Sequence, residues 1–175
     1  MRKLLKLPFA LRNEAIIHIS DVESGRQPDC LCPECKRPLI ARKGAIKQHH
    51  FAHDPGSQCN LESALHWLGK TLIHNGIRDA LSHKTPIHLR WQCSHCPDAH
   101  ETNLIDGVDF VEMERHLGQA KPDVLLLGHK GEPLTAIEVV VTHPIEDDAR
   151  AFYKAANINV VEVRLSNYDA INSLH

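Results

Sequence analysis

No apolar run in this chain approaches the roughly 20 residues that a bilayer-spanning helix needs. The biased compositions of disordered, collagen-like and low-complexity chains are also missing, since 42% of residues are hydrophobic and 24% are charged. Net charge is small (−2), so composition does not advertise the strongly basic footprint usual among nucleic-acid binders. Aromatic residues are scarce at 5%, and the two tryptophans, Trp67 and Trp91, are read as core rather than as base-stacking platforms. No internal repeat of fold-defining length is present. The opening residues, MRKLLKLPFALRNEAIIHIS, are basic and then apolar in the manner of a signal peptide. Pro8, Arg12, Asn13 and Glu14 interrupt them, and no A-x-A-like site follows. The expectation is a soluble, cytoplasmic protein of 175 residues with no membrane partner, one ordinary globular domain carrying a small appended module.

What the chain has in excess is metal-binding side chains, with 14 histidines and six cysteines. Two cysteine pairs have two residues between them, Cys32–Cys35 and Cys93–Cys96, and Cys30 and Cys59 stand apart. In a cytosolic chain this favours metal ligation over disulfides. Charge is uneven: residues 1–60 carry ten Lys/Arg against six Asp/Glu, and residues 61–175 carry ten against sixteen. A mildly basic front can face phosphates, and an acidic remainder can hold divalent cations.

Two apolar-rich segments, 4–11 and 15–22, separated by Arg12–Asn13–Glu14, predict a β-hairpin. Leu61, Leu65, Leu68 and Leu72 repeat at helical spacing and predict a helix to about Leu81, with Asn60 as its N-cap. After Pro86 the pattern changes to strands: PIHLRWQC, ETNLIDG, VDFVEME, DVLLLG and TAIEVVVTH. A helix over 145–157, a strand INVVEVRL and a short helix over 166–175 follow. The fold class is α/β, with a mixed central sheet flanked by helices and a small N-terminal β/zinc module. The boundary is placed between a β-hairpin plus zinc-finger-like module (1–59) and a second domain (60–175).

Cys32-x-x-Cys35 is followed by His50-x-x-His53, a spacing that supplies four ligands to a tetrahedral structural Zn2+. Cys59, Cys30 and His49 are the substitutes if one of the four is misassigned. Cys93 and Cys96, with His95 and His100 nearby, offer two ligands of a second zinc knuckle, or else a reduced or redox pair. Further on, Asp123 opens one strand and Glu138 lies inside the next. Burying Glu138 in an apolar strand is costly unless a cation or donor compensates it. Such carboxylates suit Mg2+ or Mn2+, hard ions that keep waters and leave room for a phosphate.

P-D, then about fifteen residues, then E-x-V on adjacent strands resembles the PD-(D/E)xK nuclease superfamily. C-x-x-C followed by HFAH, and then by Glu62, His66 and Lys70, resembles more specifically the competence protein CoiA-like group, from about Cys32 to Val163. The resemblance implies a restriction-endonuclease-like core that acts on DNA, with Asp123 and Glu138 as catalytic metal ligands and Glu62 as a third acid. The superfamily lysine falls on Val140. Lys70, and behind it His66, would replace it, since Glu62, His66 and Lys70 share one helix face. Glu112 and Glu114 are read as an exposed strand face, His143 as a packed histidine, and Thr142 as sharing the face of Glu138. Arg37, Arg42, Lys43 and Lys47 would hold the DNA backbone without reading sequence. Two rivals stand beside the nuclease: an inactive nuclease fold serving as a DNA-binding or assembly module, and a thiol-redox protein built on Cys93–Cys96. A helicase or recombinase partner would leave no trace in the sequence.

Overall fold

The structure, a computed structural model, describes residues 6–92, 96–166 and 168–173. The predicted hairpin is present. Strand β1 (Phe9–Arg12) pairs antiparallel with β2 (Ala15–His18), with Arg12 opposite Ala15. Asn13 and Glu14 between them both have positive φ, 50° and 65°, as the two-residue turn that matches strand twist requires. β2 is shorter than predicted because a 3-10 turn over Ile19–Asp21 ends it, with the Ser20 N–H bonded to the His18 ring. Strands β3 (Gly25–Leu31), β4 (Pro38–Arg42) and β5 (His50–Ala52) extend the hairpin into a sheet of order β2-β1-β3-β4-β5. Ahead of β1, the Leu7 carbonyl accepts the Phe51 N–H of β5 at 2.7 Å, so the sheet curls back on itself. Leu7, Phe9, Leu39 and Phe51 are buried.

Helix α1 spans Leu61–His83. Its start is capped as predicted: Asn60 Oδ1 accepts the Glu62 N–H at 3.0 Å. Leu65 and Leu68 of the leucine stripe are fully buried at 0% exposure.

The chain forms two compact units that do not divide at residue 59. The first joins Met1–Leu72 with Val139–Pro144 and Val163–His175, and the second comprises Ile73–Glu138 and Ile145–Glu162. The 23-residue helix α1 contributes its first half to the first unit and its second half to the second. In the first unit Gly69 is packed so closely that a Cβ there would lie 2.5 Å from Leu165 Cδ1 and 2.9 Å from Val139 Cγ1. A short helix α3 (Tyr168–Asn172) completes that unit.

The second unit starts with the end of α1 and a two-stranded sheet of β6 (His88–Gln92) and β7 (Ala99–Asn103). The prediction of one central sheet is corrected here. These strands are largely exposed on both faces, so they carry no apolar surface to bury against the other strands. A four-stranded sheet follows, of order β11-β10-β9-β8, from β8 (Phe110–Met113), β9 (Val124–Leu127), β10 (Pro133–Val140) and β11 (Asn159–Arg164). All four residues of β9 are buried, and helix α2 (Asp147–Ala155) places Tyr153 against Ala120, Ala136 and Ile158. The chain is therefore mixed α/β and rich in sheet, with three helices among the described residues. No described helix is long and apolar enough to cross a membrane.

Two glycines of α1 should respond oppositely to substitution. Gly69→Val forces backbone or side-chain movement and should cost about 1–3 kcal/mol or more. Gly76 is exposed with nothing within 4 Å of a new Cβ, so Gly76→Ala should stabilise by about 0.5–1 kcal/mol through helix propensity. Urea unfolding of the two variants beside the parent checks both signs.

Candidate functional site

The N-terminal unit gathers three thiols and an imidazole. Between β3 and β4 the chain folds into a knuckle in which the Lys36 N–H donates to the Cys32 carbonyl at 3.0 Å and the Cys32 N–H to the Arg37 carbonyl at 2.9 Å. This brings Cys32 and Cys35 together, with Lys36 at a positive φ of 57°. His53 follows β5. The loop after it turns through a Ser57 N–H to Asp54 carbonyl bond of 3.2 Å. Arg26 of β3 anchors that loop through Asp54 at 3.1 and 2.8 Å. The loop delivers Cys59 just before the Asn60 cap. The ligand atoms of Cys32, Cys35, His53 and Cys59 all lie within 4.8 Å of one another.

The geometry fits zinc. Bonds of about 2.3 Å to sulfur and about 2.0–2.1 Å to nitrogen give tetrahedral edges of about 3.7 Å (S to S) and about 3.5 Å (S to N). Cys32 Sγ lies 3.7 Å from Cys59 Sγ, and Cys35 Sγ lies 3.3 Å from His53 Nε2. A Cys3His set can thus hold a structural Zn2+ with no open position. Among the described residues this is the one group of three or more gathered metal ligands.

His50 is not in the group, and Cys59 takes its place. β5 is extended over His50–Ala52, so alternation along the strand separates the directions of residues 50 and 53. His50 Nδ1 instead lies 2.8 Å from the Gln48 carbonyl. Cys30, another of the three substitutes, is buried and bonded by Arg12 at 3.1 Å. Without a cation three adjacent thiols resist ionisation together. Burial and the neighbouring thiols push Cys59 up to about 12, and burial raises Cys32. Burial opposes ionisation at Cys35 too, but the Arg37 backbone N–H and the other thiols outweigh it and its pKa is lowered. Burial and the Arg37 charge lower His53, which keeps its imidazole neutral and ready to ligate.

Of the second cysteine pair, Cys93 and its neighbour His95 lie outside the described residues. Cys96 Sγ sits 2.8 Å from His100 Nε2, and Trp91 stacks on the His100 ring at 5.4 Å.

In the second unit β9 and β10 are antiparallel, with Ile137 opposite Val124. Continuing that register by one residue puts Glu138 opposite Asp123, and residues directly opposite share a face of the sheet. Asp123 is 8% exposed. The buried Tyr153 hydroxyl donates to Glu138 Oε1 at 2.6 Å. Burial, that hydrogen bond and the charges of Glu138 and Asp123 hold the phenol pKa far above its ordinary value. Tyr153 carries no sequence signal of this role beyond its place in a helix. Glu112 and Glu114 are occupied elsewhere, by Arg115 at 3.2 Å and by Lys121 at 3.1 Å.

Glu62, at the second position of α1, belongs to the first unit. Its Oε1 accepts the Thr142 hydroxyl and lies 2.9 Å from His143 Nδ1. The Thr142 hydroxyl lowers the Glu62 pKa, burial opposes it, and His143 reinforces it. His143 is not packed as the sequence suggested: its side chain is 86% exposed. β10 ends at Val140, so strand alternation no longer directs residues 142 and 143. His66 and Lys70 follow one and two turns after Glu62, both half-buried, and Val140 is buried.

Two predictions follow from these groups. Purified chain should hold close to one zinc; Cys59→Ser should lose most of it and unfold the N-terminal unit, whereas His50→Ala should retain it, as metal analysis with circular dichroism will read. A carboxylate with a lowered folded-state pKa stabilises above its ordinary pKa, and that stability is lost as pH falls through the lowered value. Thr142→Ala should therefore reduce the unfolding midpoint at neutral pH, with the difference from the parent shrinking as pH falls below the ordinary carboxylate range.

Residues 16–62, the stretch that contains all four ligands of the Cys3His group, match the family model for Competence protein CoiA, N-terminal domain. No curated protein and no solved structure matches the chain.

Proposed function

We propose that this chain is a zinc-stabilised nuclease that hydrolyses phosphodiester bonds of DNA with Mg2+ or Mn2+. The observation that carries the reading is Asp123 opposite Glu138, two carboxylates on one sheet face with a buried phenol donating to one of them. Like charges in that relation repel, and hard oxygen ligands side by side on a sheet face are the donor set a divalent cation takes. Asp123 and Glu138 would hold the ion. When bound it would polarise the phosphate and lower the pKa of a water. Tyr153 fixes one oxygen of Glu138 and so sets where the other points. Tyr153→Phe should weaken cleavage less than loss of either acid.

The DNA-holding surface is the basic stretch from Lys36 to His53. It carries Lys36, Arg37, Arg42, Lys43 and Lys47 and no acidic residue. Such charges hold the backbone without reading bases. For the role of the superfamily lysine, whose position Val140 occupies, the sequence nominates Lys70, with His66 behind it. Processing of incoming or foreign DNA follows from the CoiA resemblance, and a helicase or recombinase partner would act beside it.

The test is cleavage of single- and double-stranded DNA by the zinc-loaded chain with Mg2+ or Mn2+, beside Asp123→Ala, Glu138→Ala and Lys70→Ala. Loss of about 100-fold or more in each acid variant, with calorimetric loss of Mn2+ binding, is the expected result. DNA binding without cutting, indifferent to either acid, would return the fold to a non-catalytic DNA-binding module, the reading that Val140 favours.

A further inference from the structure

Between β4 and β5 the first unit holds out a loop, residues 43–49, of sequence Lys-Gly-Ala-Ile-Lys-Gln-His. Both of its ends are secured. Lys43 Nζ donates to the Val22 carbonyl at 2.7 Å and to the Ser20 carbonyl at 3.2 Å. At the other end His50 Nδ1 lies 2.8 Å from the Gln48 carbonyl, and Gln48 Nε2 donates to Asp169 Oδ1 at 3.4 Å. Arg42 opposite His50 closes the strand ladder at the base of the loop. The tip between these anchors carries Ile46, which is 97% exposed. The other exposed large apolar side chains among the described residues reach only 37–52%. Arg42 and Lys47 are exposed as well, and no acidic residue occurs between Glu34 and Asp54. The first unit carries twelve Lys/Arg against eight Asp/Glu, whereas the second carries eight against fourteen.

We infer that Ile46 is a wedge that enters between stacked base pairs of duplex DNA, while Arg42 and Lys47 hold phosphates next to it. The inference deepens the DNA-holding reading and rests on it, not on cleavage. An apolar side chain among cations divides the work: the charges supply affinity through phosphates, and the wedge unstacks one base step and kinks the duplex. In the free chain Ile46 adds nothing to the core, and its apolar area counts only against a partner. A lipid surface fits less well. Even one long acyl chain anchors a protein only marginally and reversibly, and one isoleucine has far fewer carbons. A protein partner fits less well again, because a stable interface takes roughly 20–30 residues a side and only Ala45 adjoins Ile46 as a second apolar residue. The substrate class is therefore duplex DNA, taken kinked. Pyrimidine–purine steps unstack most easily, so the loop favours them without any base hydrogen bond.

The test uses the full zinc-loaded chain without added Mg2+ or Mn2+. Its probe is a short duplex with 2-aminopurine at a central TA step and a dye pair at its ends. With the parent chain, 2-aminopurine emission should rise on binding and the dyes should approach as the duplex kinks. Ile46→Ala, an exposed change that should keep the zinc and the fold, should lose both signals at saturation with the salt slope of binding unchanged. Ile46→Phe should retain them. Lys47→Ala should lower the salt slope by about 1 and keep the emission rise at saturation. Binding without either signal in the parent, or full signals in Ile46→Ala, would overturn the wedge and leave the DNA-holding reading in place. Binding to phosphatidylserine vesicles that Ile46→Ala abolishes, beside DNA signals it does not change, would overturn the wedge too and make the tip a lipid contact. A parent that fails to bind the duplex overturns the DNA-holding reading and the wedge together. A parent that binds and unstacks the duplex, yet never cuts it once Mn2+ is added, upholds the wedge and overturns the nuclease alone.

Discussion

Four soft and borderline ligands brought within 4.8 Å of one another are the constraint on which the N-terminal unit depends. They arrive from three places: the β3–β4 knuckle, the end of β5 and the residue just before the cap of α1. The strands they join are only three to seven residues long, and their buried side chains are few. A core that small supplies limited stabilisation, so a metal that binds only the folded arrangement contributes folding free energy directly. The thiols add a second reason. Burial and proximity hold Cys59 and Cys32 protonated in the metal-free cluster, and a divalent cation is what lets all three ionise together.

That constraint reaches past the cluster. Cys59 is followed at once by Asn60, whose side chain caps α1, and Glu62 lies two residues further on. Fixing Cys59 therefore fixes where the helix starts, and with it the carboxylate that meets Thr142 and His143. A change at the zinc ligands should be felt at this polar cluster although no ligand touches it.

The second unit works with the opposite chemistry. β9 is apolar on both faces, and Asp123 sits at its edge, nearly buried and opposite Glu138. Tyr153 meets the cost of burying a carboxylate by donating to Glu138, and its own ionisation becomes strongly unfavourable as a result.

Local structure was legible because it is set by neighbours in the chain. Asn60 marked the helix start, Arg12–Asn13–Glu14 the hairpin, and the apolar runs the later strands. The C-x-x-C knuckle and the pairing of Asp123 with Glu138 were legible for the same reason, since a tight turn and an antiparallel register follow from spacing. Four outcomes were not: Cys59 in place of His50, the division of α1 between two units, the separate β6–β7 sheet, and the meeting of Glu62 with His143. Spacing counts residues along the chain, whereas ligation and ion pairing depend on where loops return and which way side chains point when they do. The sequence by itself determined the inventory of ligands and acids and the local elements that carry them. Only tertiary structure decided which of them meet, because that depends on contacts between residues as far apart as Glu62 and His143.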